Sequence, residues 1–431
     1  MFDKLLNIHS SAWAMFAVML SWILLSFLSL PEAVQWTCKF IILFVLYRNL
    51  RRTDYKKIID KAGFVLLFIF IAWLFIGFFR ACHYAQGYWM WKMVMNQFFM
   101  SFFYIVVLIA ANAMIVRDYF RLYFLLFIPM VLLSFIVFRI PQGINYMPFM
   151  AMMLFFMFIP KRKRWMLLAI ALVYLVTFEH RNDIIKLLVA VSIGMIITFF
   201  YNIISVGLIR VLHIVLLVLP LVLLFLGILG VFNVFKMDEY IKGDYSLSVK
   251  SEEGEGKRDL KADTRTSLYV NVFYTLNKYD ALVYGRSPAF GDEGWTGGET
   301  DVSTGLKGRY GNEVGFLDIL LWYGVVGVAI YFLLFVRASY LAIYQSRNRI
   351  AKGVGLYTAY LWFMFFIWEK PMFETFFMMD LVLIGLCLSK PFRQMTDSQM
   401  RLWVRSIFLN RKKNSRNENS VDIKRPVSRS L

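Results

Sequence analysis

The sequence predicts an all-α polytopic membrane protein, with about 12 transmembrane helices and one long extracytoplasmic loop containing an amphipathic helix. Three observations predict it. Of 431 residues, 60% are hydrophobic and only 17% charged, too few polar side chains to clothe soluble domains of this total length. The apolar residues fall in blocks long enough to cross a bilayer, where about 20 helical residues traverse about 30 Å of hydrocarbon. The basic residues, which set a formal net charge of +19, collect between those blocks. A soluble enzyme, a disordered chain and a disulfide-stapled scaffold are excluded. The cysteines Cys38, Cys82 and Cys387 are scattered, with neither CxxC nor metal-like spacing.

Element by element, spans are expected near 12–30, 33–47, 63–80, 97–116, 122–138, 144–160, 164–178, 183–204, 207–235, 314–336, 354–372 and 374–389. The opening MFDKLLNIHS lacks a short apolar run ending in a small-residue cleavage site, so the first block reads as a retained helix. The ninth span is overlong and carries Pro220, which predicts tilt or a kink. The last two spans are separated by a turn around Pro371.

Orientation follows from the basic clusters. Arg48, Arg51, Arg52, Lys56, Lys57 and Lys61 form the first; Lys161 to Arg164 the second; Arg337, Arg347, Arg349 and Lys352 the third; the tail after Ser389 the fourth. Twelve spans put all four on one side, and the positive-inside rule makes that side cytoplasmic. The net charge then belongs to loops facing anionic lipid rather than to a nucleic-acid partner. Both termini are expected on the cytoplasmic side, with 237–313 outside and 390–431 a basic cytoplasmic tail.

The expected outer loop has two textures. KGDYSLSVKSEEGEGKRDLKAD is charged and short of large apolar residues, which predicts a mobile segment. TRTSLYVNVFYTL places Leu268, Val272, Phe273 and Leu276 at helical spacing, which predicts an amphipathic helix on the outer surface. YGRSPAFGDEGWTGGETD is loop by its glycines and proline.

Ionisable groups in hydrocarbon are costly and face a partner or a cavity. Lys39 reads as snorkelling or paired, and His213 as a satisfied interior histidine. Glu179-His180-Arg181-Asn182-Asp183 is either a solvated turn with Asn182 or Asp183 capping the next helix, or a site with Arg181 aimed into an outer-leaflet cavity. Arg265 and Arg286 carry the planar fork suited to phosphate. Glu313, where the loop re-enters apolar sequence, is either a general base or an interfacial carboxylate paired with Arg309.

Three local patterns resemble the O-antigen polymerase and O-antigen ligase superfamily of bacterial membrane glycosyltransferases. TFEHRNDIIKLLVAV is similar to the family's short arginine motif, with Arg181 in the arginine position and Asn182 where a glycine is usual. DTRTSLY followed by LVYGRSPAFG resembles its long-loop pattern, with Arg265 and Arg286 in functional positions. GNEVGFLDILLWYGVVGVAIYF resembles the segment after the loop, with Gly311 in place of the histidine usual in ligases before Asn312.

The resemblance implies a polysaccharide repeat-unit polymerase. A sugar on polyprenyl diphosphate is attacked by an acceptor hydroxyl, without metal or cofactor. Catalytic roles would fall to Glu313, Arg181 and Arg265, and substrate binding to Arg286, Asn312 and His180. The implied partners are the polyprenyl-diphosphate-linked glycan, membrane lipid, and a chain-length regulator and flippase of the same pathway. A ligase moving glycan to a lipid or protein acceptor, and a lipid-linked glycan flippase or transporter, are the alternatives.

Overall fold

The computed structural model describes residues 8–28, 31–51, 54–138, 146–177, 181–200, 205–236, 246–251, 254–259, 263, 265–294, 308–368 and 371–408. The described residues are helical apart from one hairpin, connecting turns and isolated bridges. Helices α1 (Ser10–Leu28), α2 (Glu32–Leu50), a short α3 (Tyr55–Ile58) and α4 (Lys61–Tyr84) open the chain. They are followed by α5 (Tyr88–Phe103), α6 (Ile105–Ala110), α7 (Ala113–Phe138), α8 (Met147–Met153), α9 (Lys161–Thr177), α10 (Arg181–Phe199) and α11 (Val206–Ile228). After the hairpin come α12 (Thr266–Lys278), α13 (Gly315–Tyr344), α14 (Arg349–Phe365), α15 (Thr375–Leu388), α16 (Lys390–Gln394) and α17 (Asp397–Phe408). Four stretches among the described residues are long and apolar enough to cross a membrane: Lys61–Tyr84, Tyr88–Ala110, Val206–Ile228 and Gly315–Tyr344. This is a helical membrane protein.

The burial pattern is that of a bundle bathed in lipid. On α11 only Ile209, His213, Leu217 and Pro220 are buried, one stripe at helical spacing, while its other faces expose Val211, Ile214, Val218, Phe225 and Ile228. In water such a surface would drive aggregation; in hydrocarbon it costs nothing. At the centre, α15 is buried on all sides from Phe377 to Leu388. Because lipid offers no hydrophobic drive for helix association, small residues permit close backbone approach. Gly385 of α15 lies against Val107 and Ala110 of α6, and Gly355 of α14 against Ala342 and Ser339 of α13.

Contacts between distant segments define two ends of the bundle. At the basic end, Asp60 caps α4 through the Gly63 amide (2.9 Å) and takes two hydrogen bonds from Arg337 (2.9 and 3.0 Å). Ile59 bridges to Ser389, whose hydroxyl donates to the Ala111 carbonyl at 2.6 Å, and the Asn348 side chain donates to the Phe392 carbonyl. At the loop end, Arg80 donates to the carbonyls of Tyr284 and Gly285. Trp322 there donates to the Phe290 carbonyl.

Three features depart from expectation. The fourth helical stretch starts at Tyr88, well before the expected 97, because two polar residues that lower its hydropathy are paired with a neighbouring helix. Lys92 pairs with Glu32 at 2.6 Å, and Asn96 accepts from Lys39 at 3.3 Å. The segment expected to be mobile contains an antiparallel hairpin, β1 (Ser246–Ser251) with β2 (Gly254–Asp259), Ser246 opposite Asp259. The alternation of Ser-Leu-Ser-Val supplies the period of two that a strand requires. Finally, α13 is not continuous: Gly324 sits at φ 69°, ψ −173°, a region essentially reserved for glycine. The backbone groups freed by the break are engaged locally. The Leu321 carbonyl accepts from Arg286 N (2.6 Å), the Tyr323 carbonyl from Trp73 Nε1 (3.0 Å), and Val325 N donates to the Leu282 carbonyl (2.9 Å). Such satisfaction is what allows a broken helix at membrane depth.

Candidate functional site

The amphipathic helix is present as α12, its buried stripe made by Leu268, Val272, Thr275 and Leu276. Its first turn is held by the Asp263 carboxylate, which accepts from the amides of Arg265 (3.0 Å) and Thr266 (2.9 Å). It lies across the loop end of α13 and α14. The Tyr269 ring stacks near Phe316 (6.2 Å between centroids), which stacks on Phe366 at 4.2 Å, and the Tyr269 hydroxyl donates to the Phe366 carbonyl at 2.6 Å.

Between α11, α12 and the end of α14 is a cavity of about 550 Å³. Its walls are apolar, from Pro220, Leu224, Phe273, Phe363 and Phe366, with Asn233, Thr266 and Tyr274 as polar points. Arg265 is buried and donates from Nε to the Ile367 carbonyl at 2.8 Å. Thr266 and Ile367 line the cavity, and Arg265 itself stands behind that wall, bonded to the carbonyl of Ile367.

Arg286 belongs elsewhere. Its guanidinium lies 3.9 Å from the Tyr279 ring centroid and 4.7 Å from that of Phe290, and donates to the Gly291 carbonyl (3.0 Å) and Glu293 (2.6 Å). Glu293 also accepts from Lys278 and Tyr279, each at 2.6 Å. Burial pushes the Glu293 carboxyl up, but the hydrogen bonds from Lys278, Tyr279 and Arg286 outweigh it and hold it at about 2. Beside it, burial pushes Asp292 up to about 6 against the opposing pull of Arg309. Arg265 and Tyr279 bracket α12, about 20 Å apart at the rise of a helix. The two arginines expected to share a ligand therefore stand at opposite ends of one helix, and Arg286 is engaged in building the loop.

Asn312 is buried, and its backbone amide and Nδ2 both donate to one oxygen of the buried Asp318, at 2.7 and 3.2 Å. Its own Oδ1 is buried without a hydrogen-bond partner. Glu313 is exposed and ion-paired with Arg309 at 3.2 Å, the pairing foreseen as the alternative to a base. His180 and the Arg181 side chain lie outside the described residues. The backbone of Arg181 opens α10, whose Ile193 and Ile197 touch Gly353 of α14.

Of the interior polar groups foreseen in the sequence, Lys39 is paired, while His213 is bonded through one ring nitrogen only and its Nδ1 is buried without a partner among the described residues. Lys39 donates to Asn96 and lies near the Phe99 and Phe373 rings, and His213 Nε2 pairs with Ser339 Oγ at 2.9 Å. Others went unforeseen: Lys186 on α10, Asp380 on α15 and Asp318 on α13 are all buried. A single charge inside IIKLLVAV or FMMDLVLIG is itself a signal in a membrane chain. No family model matches the chain, and no curated protein or solved structure shows a significant similarity to it.

Proposed function

We propose that the chain is a membrane glycosyltransferase that elongates a polysaccharide carried on polyprenyl diphosphate, working at the outer face of a bacterial plasma membrane. One observation carries the reading: an apolar cavity between the lipid-facing α11 and an amphipathic helix, with a buried arginine bonded to the carbonyl of one of its wall residues, Ile367. That combination matches a substrate with a greasy tail and an anionic head. The tail takes the cavity and Arg265 takes the diphosphate, with Arg181 as second cation from the neighbouring helix start. The acceptor hydroxyl attacks the anomeric carbon, and the bond to the diphosphate oxygen breaks with its electrons leaving on the diphosphate. The hydroxyl proton passes to a carboxylate at the mouth. Fixed donors at the leaving group supply most of what such a transfer needs. Asn312, fixed by Asp318, is assigned to orienting the acceptor, and Glu313 to the solvent side of the mouth.

The test is elongation by purified protein of a polyprenyl-diphosphate-linked repeat unit. A ladder of products is expected, lost in Arg265→Ala and retained in Lys57→Ala. A parent protein that makes no ladder, or an Arg265→Ala variant that makes a normal one, refutes the reading. The break at Gly324 favours a second reading, since transporters use discontinuous helices at their sites. Passage of the lipid-linked repeat unit across a proteoliposome bilayer without elongation would choose it. Transfer of finished glycan to a separate lipid acceptor would choose a ligase.

A further inference from the structure

We propose that the basic end carries a binding site for an anionic phospholipid, its headgroup held between α9 and α17. The site is independent of the glycan chemistry and is assembled by one turn, Phe156–Phe158. Arg164, in the first turn of α9, donates to the carbonyls of Met157 (2.7 Å) and Ile159 (3.2 Å) and lies over the Phe156 ring at 5.1 Å. Arg401 of α17 lies over the Phe158 ring at 5.3 Å. α17 itself is fixed by its apolar face: Trp403 donates to the Ala113 carbonyl at 3.0 Å and packs on Phe155, and Phe408 packs on Phe124. Two basic runs far apart in sequence therefore meet at one place.

The result is a patch with an unbalanced charge. Lys161, Arg162, Lys163, Arg401 and Arg405 are all exposed. Among the described residues none of the five has a carboxylate within ion-pair distance, and the first turn of α9 contains no acid. The cations repel one another, and those on α9 sit at the positive end of its dipole, where cations are disfavoured. A bound anion would relieve that repulsion.

The neighbouring surface says which anion. From the same turn, α9 exposes Trp165 (63%), Met166 (40%), Leu172 (64%) and Val173 (61%), an apolar strip leading away from the cations. Tryptophan is the residue enriched at the border of hydrocarbon and headgroup. Cations below, tryptophan between and bare aliphatic surface above fit a phosphate headgroup with its acyl chains lying on α9. A free phosphate or an acidic peptide would use the cations and leave the strip uncovered. Five cations exceed what one phosphodiester neutralises, so a headgroup with two phosphates is preferred.

The experiment uses the full-length protein purified in detergent and titrated with diphosphatidylglycerol, phosphatidylcholine or inorganic phosphate, read by native mass spectrometry and thermal shift. Diphosphatidylglycerol is expected to give retained adducts and a rise in Tm, with phosphatidylcholine and phosphate giving neither. Each basic residue near a membrane surface contributes about fivefold in affinity. Arg401→Gln/Arg405→Gln and Lys161→Gln/Lys163→Gln should therefore each weaken binding roughly twentyfold. Lys56→Gln/Lys57→Gln, on another helix of the same end, should leave it unchanged. Equal Tm values of all variants without lipid establish that the fold is intact. Equal binding of phosphatidylcholine, equal stabilisation by inorganic phosphate, or unchanged affinity in both double variants overturns the proposal.

Discussion

Glu293 shows how a residue's role is decided by what surrounds it. The sequence marks Arg286 as notable but cannot say what it holds, because the partner is chosen by the turn that folds residues 279–293 onto one another. With Lys278, Tyr279 and Arg286 donating to it, Glu293 neutralises a guanidinium held against two aromatic rings. Glu293→Gln is expected to cost about 1–2 kcal/mol, since the pair is only half-buried and what is lost is charge-assisted hydrogen bonding. Thermal unfolding in detergent measures it. The two carboxyls also predict opposite pH slopes. Glu293 titrates at about 2 when folded against 4.5 in the free side chain, so its stabilisation is complete above about 4.5 and is lost as pH falls toward 2. Asp292 titrates at about 6 when folded against 3.8, so ionising it removes stability as pH rises from about 4 to about 6. Asp292→Asn should flatten the Tm profile between pH 4 and 6, and Glu293→Gln should flatten it below 4.5. Lys186, Asp318 and Asp380 escaped the sequence reading because averaging hydropathy over a span conceals one charge among many apolar neighbours.

At the scale of elements, the apolar blocks mark helices such as Ser10–Leu28 against 12–30 and Thr375–Leu388 against 374–389, but 144–160 holds only a short helix, Met147–Met153, and one tighter turn, and four described stretches are long and apolar enough to cross a membrane. Hydropathy reads the sum of a segment, and a segment's sum is what membrane insertion responds to. It fails where polar residues are satisfied by other helices, as with Lys92 and Asn96 at the start of α5, and where breaks depend on geometry. The break in α13 is such a case: YGVVG reads as uninterrupted helix, yet the positive φ of Gly324 lets residues 282–286 dock against it. A Cβ there would meet the backbone of Val283 and Gly285, which cannot yield as a side-chain tip would. Gly324→Ala is expected to cost about 3 kcal/mol or more, combining backbone strain with that clash. Gly207→Ala, in the first turn of α11 with only the Ser205 hydroxyl nearby at 3.6 Å, should be neutral or stabilising by up to about 1 kcal/mol. Comparing the two Tm values separates a required glycine from a tolerated one.

For the whole molecule, the sidedness expected from the basic clusters is a proposal, and the contacts between distant segments say which residues it must keep together. Asp60 with Arg337, Ile59 with Ser389, and Asn348 with Phe392 all join segments assigned by charge to one side. Arg80, Arg265 and Trp322 join segments assigned to the other. The division predicts opposite chemical accessibility at the two ends. Lys57 has a side chain 83% exposed at the basic end, and Asn277 is exposed on α12 at the loop end. Cys38 and Cys82 are half-buried and Cys387 is buried, so a background with the first two replaced by alanine has little reactivity of its own. In that background a membrane-impermeant maleimide should label Asn277→Cys in intact cells and reach Lys57→Cys only after the membrane is opened. The reverse pattern would invert the orientation and remove the cavity beside Arg265 from any externally presented substrate. Labelling of both sites from one side would break the parity itself.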